Sequence, residues 1–79
     1  MDISTALRAR IFELCDERNI TYNKLGTICG ITQSTLKNIL SGRNGATVIT
    51  IKKLCDGLEI TIGEFFSTPV FDGLEQEIR

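Results

Sequence analysis

Between Gly30 and Arg43 the chain reads GITQSTLKNILSGR, and its polar residues are spaced to act together. At about 100° per residue, Gln33, Ser34, Lys37, Asn38 and Ser41 fall within one arc of roughly 140° on a helix, while Thr35, Leu36, Ile39 and Leu40 take the other side. The polar arc holds amides, hydroxyls and one ammonium but no carboxylate, whereas an ordinary solvated helix face mixes both signs. Gln and Asn amides present a paired donor and acceptor that matches the N6/N7 edge of adenine, and a Lys reaches guanine or phosphate. Such a face suits an anion with a hydrogen-bonding edge. The alternative is a polar surface helix with no ligand.

Helix signals on either side say how this face is positioned. Thr32 can cap the helix and Gly42 can end it with a left-handed turn, so the element spans residues 32 to 41. Upstream, Ile3, Leu7, Ile11, Leu14 and Cys15 recur at steps of three and four, which predicts a first helix from Ile3 to Arg18 capped by Asp2 or Ser4. Asn19 permits a break, Ile20 can plug the core, and Thr21 caps a second helix from Tyr22 to Cys29. Leu25 and Ile28 give that helix a narrow apolar face, and Gly26 inside it implies close packing. Only Gly30 and Ile31 separate it from Thr32, the turn length of two helices meeting steeply.

After a glycine-rich loop from Ser41 to Ala46, Thr47 caps a fourth helix from Val48 to Leu58, with Val48, Ile51, Leu54, Cys55 and Leu58 at helical spacing. Thr61 caps a fifth, Ile62 to Phe66, whose Phe65 and Phe66 read as core or subunit contact. Pro69 ends the array. Residues 1–67 thus form one domain, and 68–79 an acidic tail. Val70, Phe71, Leu74 and Ile78 give the tail the spacing of a helical stripe, either a dimerisation arm or a frayed end.

The net charge of −1 argues at first against a polyanionic partner, but the charges are unevenly placed. Arg18, Lys24, Lys37, Arg43, Lys52 and Lys53 occupy residues 18–55 without a single acid, between two acidic ends. Cys15, Cys29 and Cys55 are isolated, with no CxxC and no His to suggest a metal site, and read as small buried hydrophobes in a reducing compartment, with a redox switch as the lesser alternative. With no His, no paired carboxylates on a shared face and no phosphate loop, enzymatic chemistry has nothing to act with, and no cofactor or small-molecule ligand is expected. No leader and no apolar run near 18 residues is present, so the expected location is the cytoplasm, with no membrane partner.

From about Leu7 to Phe66 the sequence resembles the Cro/C1-type (XRE-like) helix-turn-helix family. The matching residues are Thr21, Leu25-Gly26, Gly30-Ile31-Thr32-Gln33-Ser34-Thr35-Leu36, Ile39, Gly42, Thr47, Ile51, Leu54, Leu58, Ile60 and Glu64-Phe65-Phe66. The resemblance implies an all-α, five-helix lambda-repressor-like domain whose third helix enters the major groove of double-stranded operator DNA. It implies a sequence-specific transcriptional regulator, a repressor acting as a homodimer; a chain of 79 residues has no room for a separate ligand domain, so control by abundance, dimerisation or turnover is expected. Carried over by position, Gln33, Ser34, Lys37 and Asn38 would contact bases, while Tyr22, Thr32, Arg43 and Asn44 would hold the backbone.

Three departures from the family pattern stand out. Tyr22 replaces a Gln often pinned to phosphate, and its hydroxyl can donate the same bond. Cys15 and Leu40 stand where many relatives pair an Arg with a Glu, both partners having become apolar together. Ala46 replaces a frequent Pro, which loosens the loop. A different class of function, a protein-interaction module such as an antitoxin or anti-repressor component, draws its support from the apolar, acidic tail.

Overall fold

Threonine opens four of the five helices, and the same short-range chemistry sets each of those boundaries. In the computed structural model, which describes residues 1–43 and 45–78, the elements are α1 (Ile3–Arg18), α2 (Tyr22–Cys29), α3 (Gln33–Leu40), α4 (Val48–Leu58) and α5 (Ile62–Phe66). Asp2 caps α1, its carboxylate accepting from the Thr5 N–H at 2.8 Å, and that bond holds its carboxyl below the usual range. Thr21, Thr32, Thr47 and Thr61 cap the others through the N–H of Lys24, Thr35, Thr50 and Glu64. Glu64 closes a capping box by accepting from the Thr61 N–H at 3.0 Å.

The C-terminal ends repeat a second motif. Asn19, Gly30, Gly42 and Glu59 each adopt a left-handed conformation, with φ of 52°, 66°, 74° and 58°. The residue after each returns its N–H to a helix carbonyl: Ile20 to Cys15, Ile31 to Gly26, Arg43 to Asn38 and Ile60 to Cys55, at 2.9–3.1 Å. In three cases that residue is an isoleucine turned toward the core, followed at once by the threonine that caps the next helix. Asn19-Ile20-Thr21, Gly30-Ile31-Thr32 and Glu59-Ile60-Thr61 are therefore three versions of one corner.

The core gathers α1, α2 and α4 around Leu14, Leu25, Leu54 and Phe65, with Leu36 and Ile39 of α3 laid against it. The most extensive helix-to-helix packing is between α2 and α4. A Cβ at Gly57 would lie 2.4 Å from the Cys29 sulfur, so only glycine lets α4 approach α2 this far. All three cysteines are free and buried. Burial, with Cys15 and Cys55 nearby, pushes the Cys29 thiol up to about 11. Cys15 is buried and Leu40 packs against the core, as expected for a charged pair replaced by two apolar side chains.

Four details differ from the sequence pattern. Cys29, not Ile28, supplies the second inward position of α2, and Ile28 is 40% exposed. Val48 is 73% exposed because it begins α4, and the buried stripe of that helix starts only at Ile51. Thr35 is exposed and not part of the apolar side of α3. Among the described residues the tail forms one 3-10 turn, Pro69–Phe71, capped by the Thr68 hydroxyl and started by Pro69, and not the longer helical stripe of the spacing.

Phe71 packs against Phe66 with centroids 4.9 Å apart, and Glu75 pairs with the Met1 ammonium at 3.3 Å, so the two ends of the chain meet. Among the described residues, no helix is long and apolar enough to cross a membrane.

Candidate nucleic-acid interface

The corner Gly30-Ile31-Thr32 sets the start of α3 and therefore the direction of its polar face. Ile31 is anchored in the core, and the Thr32 hydroxyl accepts from the Thr35 N–H at 3.2 Å while bonding the Thr35 hydroxyl at 2.9 Å. With Leu36 and Ile39 fixed inward, Gln33, Ser34 and Lys37 are held outward and Asn38 lies half-buried at their edge. This is the face expected from the spacing.

Shallow grooves flank it on both sides. On the α2 side, Tyr22, Gln33, Lys37 and Ser41 surround a floor of Leu36 and Leu40. The Tyr22 ring packs on Phe12 with centroids 5.1 Å apart, yet the residue remains 42% exposed. On the α4 side, Thr35 and Asn38 face Gly45, Ala46, Thr47 and Thr50. The Thr47 and Thr50 hydroxyls bond each other at 3.0 Å, mirroring the Thr32–Thr35 pair at the head of α3. The positive ends of α3 and α4 therefore border the same surface, each dressed in hydroxyls, which is favourable for phosphate oxygens. Thr47 and Thr50 share this groove with Thr35, a juxtaposition of α3 and α4 that the period of α3 alone does not reveal.

At the far end, Arg43 is the residue that returns its N–H to the Asn38 carbonyl, so the α3 terminus fixes its backbone while its side chain stays exposed. Asn44 lies outside the described residues. The structure thus groups Tyr22, Gln33 and Lys37 along one groove, puts Asn38 on the other, leaves Ser34 on the crest between, and sets Thr32 and Arg43 at opposite ends of α3.

Among the described residues, Lys24, Lys37 and Arg43 form no ion pair, while Lys52 is bound to Asp56. That pairing removes one of the six cations of the basic middle from the free set. Gln33 is less free than its exposure implies, since its Nε2 donates to the Asn23 carbonyl of α2 at 3.3 Å.

A family model described as helix-turn-helix matches residues 11–65. No curated protein matches the chain. Among solved structures, the crystal structure of the prophage Lp1 protein 11 is similar, with a TM-score of 0.82 and 30% sequence identity over 94% of this chain and 100% of that one.

Proposed function

The chain belongs to the Cro/C1-type helix-turn-helix family of DNA-binding regulators, and from that premise we propose that it is a sequence-specific repressor that occupies its operator as a dimer. The observation that carries this reading is the outward face of α3. It bears amides, hydroxyls and an ammonium without a carboxylate, and it is bordered by the hydroxyl-lined heads of α3 and α4. In this reading α3 lies in the major groove, and Gln33, Ser34, Lys37 and Asn38 meet base edges. Tyr22, Thr32, Arg43 and Asn44 contact phosphates along the rim.

Binding two copies to one duplex calls for a near-palindrome with half-sites roughly 34 Å apart. Because the net charge is −1 and few cations are free, the affinity for random DNA is expected to be weak and its salt dependence shallow. The outer end of the tail, where Ile78 is 82% exposed, is the proposed contact with the second copy. Ending the chain after Asp72 tests that part, since it keeps Phe71 on the core. Loss of the dimer with half-site contacts retained is the expected result.

Selection of duplexes from a random pool at low salt, followed by titration at physiological salt, tests the whole reading. A recovered near-palindrome that survives the added salt supports it. A folded protein that enriches no sequence overturns it.

A further inference from the structure

Gly26 lies inside α2, where glycine is disfavoured relative to alanine, and its neighbour is the side chain of Gln33. A Cβ built at Gly26 would sit 2.5 Å from Gln33 Nε2, closer than real contacts allow, and 3.0 Å from the Ile31 carbonyl oxygen. In the space so left open, Gln33 Nε2 donates to the Asn23 carbonyl at 3.3 Å. We propose that Gly26 and the Asn23 carbonyl form a seat that orients the Gln33 amide for base readout, making Gly26 a specificity-determining positioning residue. This rests on the reading of α3 as the DNA-contacting helix.

The chemistry of the seat fixes which end of the amide faces out. A carbonyl only accepts, so the group turned toward Asn23 must be the NH2. One N–H is then used, and the second N–H and the Oε1 remain for an outside partner. A donor beside an acceptor is the pattern that pairs with adenine N7 and N6 in the major groove. Without the seat the same amide samples several rotamers and flips, and ordering them is lost from affinity when DNA binds. A methyl group at residue 26 would expel the far end of the flexible Gln33 side chain and would also press on the Ile31 carbonyl oxygen, so the urea midpoint of Gly26→Ala is measured beside its DNA affinity.

The experiment is a double-mutant cycle on the full chain with the operator recovered by selection. Gly26→Ala is expected to lower affinity for that operator about tenfold and to relax preference at one base pair, with random-sequence affinity unchanged. In a Gln33→Ala background, Gly26→Ala is expected to cause no further loss. Equal losses in both backgrounds would overturn the seat while leaving the DNA reading intact. If Gln33→Ala alone left base preference unchanged, the assignment of Gln33 to readout would fall, and the specificity role of Gly26 with it. The free wild-type protein gives a check that needs neither DNA nor the folding of a variant. Nuclear Overhauser contacts between the Gln33 side-chain NH2 and the Gly26 α-protons are expected, and their absence would overturn the proposal.

Discussion

The three arginines of α1 and the three cations lying between α2 and the loop after α3 are equal in number and differ in what they touch. Arg8 donates to the Leu40 carbonyl at the end of α3, Arg10 to the Glu64 and Phe65 carbonyls at the end of α5, and Arg18 to the Leu58 carbonyl at the end of α4. Each places a positive charge at the negative end of another helix, where orphan carbonyls need donors. Lys24, Lys37 and Arg43 have no such use among the described residues, and no acid lies near them in sequence. One set of cations holds the helices together, and the other is left available to an outside partner. The acidic ends follow the same division, since Asp2, Glu13, Glu64 and Glu75 are occupied as caps or ion pairs. Overall charge therefore says little about the partner.

The sharpest way to break this comparison is to remove the most buried member of the first set. Arg10 is only 9% exposed, reaches Phe65 O at 2.7 Å and Glu64 O at 2.8 Å, and pairs with Glu13. Arg10→Ala leaves two carbonyls without their donor and opens a gap beside Phe65. A loss of about 3–5 kcal/mol in unfolding free energy is expected. Urea denaturation measures it. DNA affinity, read at a temperature where the variant is still folded, should be unchanged. Weakened binding at full stability would show that α1 takes part in the interface and that the division is wrong.

The surface that the second set borders is tested by substitutions that leave the fold alone, one at an uncharged reader on α3 and one in the set itself. Gln33→Ala is expected to cost about 1–3 kcal/mol on the selected operator and to relax one base position. Arg43→Ala should weaken every sequence alike and reduce the slope of log affinity against log salt by about 1. The two variants sharpen each other, because a base reader and a phosphate contact differ in sequence dependence more than in size. Identical behaviour across sequences would remove the distinction between the crest of α3 and its rim.

The helix boundaries were legible because local chemistry sets them. A threonine oxygen and a left-handed residue act within four residues of chain, so Thr21, Thr32, Thr47, Thr61, Gly30 and Gly42 announce the ends of helices without tertiary information. The outward set on α3 was legible for a similar reason, since Leu36 and Ile39 leave one orientation once a core exists. What escaped depends on contacts between distant segments. Arg10 falls in the apolar stripe of α1 between Leu7 and Ile11, and a cation in that stripe was a signal that it caps something buried. Its partners at residues 64 and 65 could not be found from spacing. Cys29 displaced Ile28 from the core because Gly57 on another helix made room for it. Gln33 was placed on the right face, but its anchorage to Asn23 is a contact across the turn that periodicity does not encode.

The smallest expected effect separates the two regions at their corners. The residue that turns the chain into α3 is Gly30, and the one that turns it into α5 is Glu59, at φ of 66° and 58°. A Cβ at Gly30 would meet nothing within 4 Å, so its glycine answers to backbone conformation and not to space. Glu59 tolerates the same conformation at a cost that L-residues with a Cβ bear and glycine does not. Glu59→Gly is therefore expected to stabilise the fold by about 0.5–1 kcal/mol, part of the steric gain being offset by greater freedom in the unfolded chain. It should leave operator affinity untouched, since the α4–α5 corner lies outside the proposed contacts. A lower urea midpoint would mean that the exposed Glu59 side chain contributes more than its backbone strain removes, and the three corners would then not be equivalent.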